Sequence, residues 1–117
     1  MTSEQEWPGE WMRGVLELCV LRVLADGPTY GYEIATRLAA GGLGTVKGGT
    51  LYPLLKRFEQ SGRVEIEWRP GEGGPGRKYY VLTGQGRTAL ADLTQKWRAF
   101  TVTTHQILDR TPVKEER

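Results

Sequence analysis

The chain of 117 residues is predicted to form one α+β domain that is mainly α. Three observations predict it. Helix-length apolar patterns recur before, in and after the middle of the chain, bounded by glycine and proline. A single stretch of strict period-two alternation stands between the third and fourth of them, followed by a glycine- and proline-rich turn. Hydrophobic residues at 38% and charged residues at 26% suit one core and exclude wholesale disorder.

Residues 1–9 form a polar N-terminal segment in which Trp7 needs a place to pack. A first helix runs from about Glu10 to Ala25 and ends at Asp26-Gly27-Pro28. Val15, Leu16, Leu18, Cys19, Val20, Leu21, Val23 and Leu24 leave it apolar on nearly every side, which predicts the central core element. Thr29 is a fair N-cap for a second helix through Ala40, with Ile34, Ala35, Leu38 and Ala39 on its apolar face and Gly41-Gly42 after it.

A third helix is expected to end at Gly62. At about 100° per residue, Leu51, Leu54, Leu55 and Phe58 share one side, and Tyr52, Pro53, Lys56, Gln60 and Arg63 the other. Pro53 fits only in a first turn, which puts the start near Gly49 or Thr50. Val64, Ile66 and Trp68 then alternate with Glu65, Glu67 and Arg69. A turn over 70–76 leads to a second strand over Arg77–Leu82, with Tyr80 and Leu82 inward and Arg77, Tyr79 and Val81 outward.

Thr83 can cap a last helix reaching Leu108, ended by Thr111-Pro112, and 109–117 reads as a charged tail. Leu90, Leu93, Trp97, Phe100, Thr104 and Ile107 recur at spacings of 3, 4, 3, 4 and 3, the seam of a coiled coil. A helix of roughly 35 Å, at 1.5 Å per residue, outreaches so small a domain and calls for a partner. The order helix, helix–turn–helix, hairpin and long helix predicts a winged helix-turn-helix over 10–83 and a dimerisation helix over 84–108. The third helix would enter the major groove of DNA and the wing would touch the backbone nearby.

Charge agrees in sign. Residues 1–46 carry a net −3, residues 47–87 a net +4 and residues 88–117 a net +1. A basic middle suits a polyanion. One cysteine and one histidine leave no multi-cysteine metal site, and no metal or cofactor is expected. No paired carboxylates, no nucleophile beside a base and no phosphate-cradling loop are present, so no enzyme is expected. No apolar run reaches the roughly 18 residues of a membrane span. Met1 to Glu10 holds three glutamates and no basic residue, unlike the front of a signal peptide, and a cytoplasmic protein is expected. Cys19 reads as a small hydrophobe and His105 as solvent-facing.

Three blocks carry a specific resemblance. Tyr30-Gly31-Tyr32-Glu33-Ile34, Gly49-Thr50-Leu51-Tyr52-Pro53-Leu54-Leu55-Lys56-Arg57 and Gly76-Arg77-Lys78-Tyr79-Tyr80-Val81-Leu82-Thr83 resemble, in order and spacing, the signature blocks of the PadR family. The likeness spans roughly residues 12–90, and the single terminal helix resembles the small members. It implies a bacterial transcriptional regulator, in most members a repressor. The chain departs from the family pattern at Lys47-Gly48-Gly49, which offers no side-chain cap to the third helix, so a looser or shifted start is expected there.

The expected DNA contacts are Thr50, Tyr52, Lys56, Arg57, Arg77 and Lys78. Lys56 on the solvent side can meet a phosphate or a guanine edge, and Tyr52 and Thr50 can offer hydroxyls to phosphate. Arg77 and Lys78 follow glycines and can reach the backbone; the alternative for all the basic residues is a solvated surface. A palindromic operator would suit a homodimer. Leu90, Leu93, Trp97, Phe100 and Ile107 are the expected dimer interface. Trp7, Trp11, Trp97 and Phe100 have two readings. Packing of the dimer interface is the default. The other is a sandwich around a planar aromatic effector, which the resemblance implies because some small members bind phenolic acids or planar drugs in this way. A protein-interaction module without DNA affinity is the alternative function.

Overall fold

Helix α1 (Gly9–Leu24) opens the computed structural model, which describes residues 7–71 and 73–111. Pro8 precedes the helix, and its carbonyl accepts from the Trp11 and Met12 N–H groups at 3.0 and 3.1 Å. Leu16, Val20, Leu21 and Leu24 are buried, while Val15, Leu18, Cys19 and Val23 are half-buried. The helix is therefore packed from several directions, but its first turns meet solvent at Trp11, Arg13 and Gly14. Burial pushes the Cys19 thiol pKa up, away from the thiolate that reactivity needs.

Thr29 does not cap the second helix. It lies buried in a short strand, β1 (Thr29–Tyr30), and helix α2 (Gly31–Ala40) begins after Tyr30 with no side-chain cap. The strand partner is β3 (Gly74–Leu82), through Thr29↔Tyr80 and Tyr30↔Tyr79. A long-range pairing has claimed the residue that local chemistry would have made a cap. Ile34 and Leu38 are buried as expected, but Ala39 is exposed at the outer end of the helix.

Helix α3 (Gly48–Gln60) starts just before the Gly49 or Thr50 expected from Pro53. The Lys47 carbonyl accepts the first bonds, from Thr50 and Leu51 N–H at 2.9 Å each. Pro53 thus lies past the first turn and leaves the Gly49 carbonyl without its helical partner, at an exposed residue that water can reach. No side chain caps the helix, in keeping with Lys47-Gly48-Gly49. Leu51, Leu54, Leu55 and Phe58 are buried on one face, at most 4% exposed, so the period read from the sequence holds.

Strand β2 (Val64–Gly71) pairs antiparallel with β3, and the sheet order is β1-β3-β2. The hairpin extends beyond the expected turn at 70–76: Arg69 pairs with Arg77 and Gly71 with Gly74. Pro70 falls in the register irregularity between Arg69 and Gly71, where a strand tolerates a residue with no N–H. Val64 is buried and Ile66 half-buried, but Trp68 is 67% exposed. Alternation assigned its face correctly, yet the core ends before the strand reaches it.

Helix α4 (Gly84–Leu108) begins as predicted. The Thr83 hydroxyl accepts from Gly86 N–H at 3.0 Å and donates to the Gly62 carbonyl at 2.6 Å. It joins the start of α4 to the end of α3. Gly86 is buried, and a methyl there would overlap the Arg63 carbonyl and the Leu82 side chain. Helix α1 contacts α2, β3 and α4, which makes it the central element.

Among the described residues, no helix is long and apolar enough to cross a membrane. Residues 1–6 of the polar N-terminal segment, Glu72 in the hairpin turn and 112–117 of the charged tail, including Pro112, lie outside the described residues.

Candidate nucleic-acid interface

Burying one face of α3 sends the other to solvent. Thr50, Tyr52, Lys56 and Arg57 are all exposed along it, with Tyr52 at 50%. The helix-turn-helix of α2 and α3 and the hairpin wing then meet in one concavity of about 380 Å³. Its lining joins Tyr52 of α3 to Arg77 and Lys78 of β3, and adds Tyr30, Tyr32 and Tyr80. Gly31 permits this closure: a methyl group there would overlap the Tyr52 hydroxyl. The first amides of α2 have no side-chain cap at this place, so the helix dipole presents its positive end beside two basic side chains.

Three of the six expected DNA contacts are thus brought together. The others lie to either side along α3. Thr50 sits near the start of α1, beside Arg13 and Lys47, and Arg57 borders a shallow depression shared with Glu17 and Arg63. Lys56 is exposed on the same helix.

The two wing cations differ in setting. Arg77 is exposed, and its guanidinium carbon stands 4.6 Å from the Tyr30 ring centre. Lys78 turns to the inner side of the wing, where its ammonium is 3.8 Å from Glu59 Oε1 and 5.7 Å from the Tyr80 ring centre. The ion pair is partly open to solvent, so a phosphate can compete for Lys78, whereas the Tyr80 ring is buried. Burial raises the Tyr80 pKa, with the charges of Tyr52 and Glu59 adding to it, so its phenol stays protonated.

Tyr30 and Tyr32 were not singled out as site residues by sequence reasoning. Tyr32 is 73% exposed, which is unusual for a large ring outside an interface. The pattern Tyr30-Gly31-Tyr32 held a usable signal: a glycine between two aromatic residues marks a close approach, here to Tyr52.

A second feature lies between the start of α1 and the later turns of α4. Trp7, Trp11, Trp97 and Phe100, the four aromatic residues grouped from the sequence, all line one largely apolar cleft of about 550 Å³. The Trp97 and Phe100 rings are 5.9 Å apart and tilted by 42°. Leu43, from the loop before α3, forms part of the wall, and Glu10 and His105 are its ionisable lining. The expected dimer residues divide into two groups. Leu90 and Leu93 pack partly against the core of their own chain, whereas Trp97, Phe100 and Ile107 are exposed.

A transcriptional regulator of Mycobacterium tuberculosis is 35% identical over 83 residues, covering 71% of this chain and 76% of that protein. The crystal structure of a PadR family transcriptional regulator from Eggerthella lenta DSM 2243 matches with a TM-score of 0.80 at 34% identity, covering 87% of this chain and 88% of that one. A PadR-like transcriptional regulator from Bacillus cereus matches with a TM-score of 0.78 at 33% identity, over 87% of this chain and 99% of that one. Residues 20–92 match the transcriptional regulator PadR-like family, and with more than half its length inside that match the chain belongs to this family.

Proposed function

We propose that this PadR-like regulator acts as a homodimeric, sequence-specific repressor. Each copy inserts α3 into the major groove of one half of a palindromic operator, with half-site centres about 34 Å apart. Lys56, Tyr52 and Thr50 meet base edges or phosphates, Arg57 meets the flanking backbone, and Arg77 and Lys78 clamp the backbone from the wing. The observation that carries the reading is the single concavity in which Tyr52 of α3 faces Arg77 and Lys78 of β3. Phosphate contacts from two elements fix the register that base contacts then read.

The exposed end of α4 supports the dimer. Phe100, Ile107 and Leu108 are each more than half exposed, an apolar stretch that a second copy can cover. Two-fold pairing would set each aromatic cleft beside the mate's Trp97. A planar aromatic effector held there would release DNA provided it binds the DNA-incompetent arrangement more tightly.

Footprinting on the DNA upstream of the protein's own coding sequence tests this reading. Two protected half-sites one helical turn apart are expected, lost on Lys56→Ala. Protection of a single half-site by a monomer would overturn the dimer. If the protein binds neither this DNA nor a scrambled duplex at low salt, the surface serves protein partners instead.

A further inference from the structure

The outer face of the wing sets two arginines against each other. Arg69 of β2 is the register partner of Arg77 of β3. Like charges directly opposite on neighbouring strands destabilise the pairing. Here each guanidinium lies over a tyrosine: Arg69 stands 4.4 Å from the Tyr79 ring centre and Arg77 4.6 Å from that of Tyr30. The two rings are themselves 5.3 Å apart, tilted by 53°. Side chains from β1, β2 and β3 therefore form one continuous stack, arginine on tyrosine beside tyrosine under arginine.

Stacking engages the face of a guanidinium and leaves its N–H edges for anions. Arg77 has no ion pair within the described residues. Arg69 gives its Nε–H to Glu67 Oε1 at 2.6 Å and keeps its terminal amino groups, with the side chain 43% exposed. Among the described residues, Glu65 and Glu67 are the acidic ones of this face, and Glu67 answers only one of the two arginines. A wing built for packing alone has no use for a facing pair of cations at its exposed end. A polyanion removes their repulsion.

We infer that Arg69 and Arg77 together grip the DNA backbone, each through a phosphate, and that Tyr30 and Tyr79 are positioning residues that hold the guanidinium planes. Glu67 is the internal competitor that occupies Arg69 until DNA displaces it. The inference rests on the DNA-binding reading and adds Arg69, Tyr30, Tyr79 and Glu67 to it.

The test is fluorescence anisotropy of the full chain with a labelled duplex from its own upstream DNA, over a series of salt concentrations. Circular dichroism melts show that each variant folds. Arg69→Ala is expected to lower the slope of log affinity against log salt by about 1.8 for the dimer, one phosphate contact of about 0.9 per copy. Tyr79→Ala should weaken binding about twofold to fivefold, and Tyr79→Phe, which keeps the ring, should restore most of that loss. Glu67→Gln should tighten binding by up to about fivefold.

A wild-type slope in Arg69→Ala, with binding still lost in Lys56→Ala, would overturn this inference and leave the DNA reading intact. Equal losses in Tyr79→Phe and Tyr79→Ala would overturn the stack as the positioning device. No wild-type binding to any duplex would take down the DNA reading and this inference with it.

Discussion

The indole N–H of Trp7 donates to the carbonyl of Gly42 across 3.1 Å, which fastens the rim of the aromatic cleft to the loop leading into α3. Leu43, next in that loop, also lines the cleft. Gly42 and Gly44 hold the loop in left-handed conformations, with φ of 103° and 88°. The cleft and the segment leading into α3 therefore share one hydrogen bond and one wall residue. Trp7→Phe keeps a ring in the cleft but removes the donor. The bond is exposed, so a loss of about 1 kcal/mol or less is expected. Hydrogen exchange should quicken at the amides of residues 43–46; unchanged exchange there would show that the bond carries no constraint.

Gly31 and Tyr52 form the second testable relationship. Gly31→Ala places a methyl on the Tyr52 hydroxyl and should destabilise the fold by about 1–3 kcal/mol or push the ring out of the concavity. Truncating Tyr52→Ala in the same chain should relieve most of that penalty. Chemical denaturation of the two single variants and the double variant measures the coupling, and additive effects would contradict the close contact.

Thr83 was legible as a helix cap, and it illustrates which features sequence reveals. Its signal is local: a hydroxyl followed three residues later by the N–H it satisfies. The buried face of α3 was readable for the same reason, since Leu51, Leu54, Leu55 and Phe58 follow a local period. Thr29 carried an equally good local signal and was misread, because its fate depends on Tyr80, far along the chain. Trp68 shows the complementary limit. Period two tells which face a side chain takes, not how far the core extends beneath it. The cations of α3 and the wing were visible as types, but the concavity joining Tyr30, Tyr52 and Arg77 exists only once β1 is paired.

Removing that cap gives a sharp stability test. Thr83→Ala loses both the bond from Gly86 and the bond to Gly62 and should cost about 1–2 kcal/mol, while Thr83→Ser should retain most of it. Thermal melts of the three proteins read the difference. Equal melting of Thr83→Ser and Thr83→Ala would mean that packing of the methyl, not the hydroxyl, is what matters.

Acid sensitivity is expected from Asp26, which bridges the end of α1 to α2. The hydrogen bond from Arg22, aided by Arg37, holds its carboxyl below the ordinary value of 3.8. A depressed carboxylate pKa stabilises the fold at pH above its unfolded value. That contribution is complete above about pH 5 and fades as pH falls below the ordinary value toward the lower folded one. Asp26→Asn should flatten this part of the stability profile and leave the neutral side parallel to wild type. Because the group is exposed, the effect is small and should shrink further in high salt. An unchanged acid limb in the variant would contradict the pairing.

In the proposed function, the open face of α3 and the wing together hold duplex DNA. Fluorescence anisotropy against the protein's own upstream DNA and a scrambled duplex, at two salt concentrations, tests it most directly. The expected result is saturable binding that prefers the upstream duplex, weakens with salt, and collapses on Lys56→Ala. Binding to neither duplex at low salt, or full binding by Lys56→Ala, would contradict it.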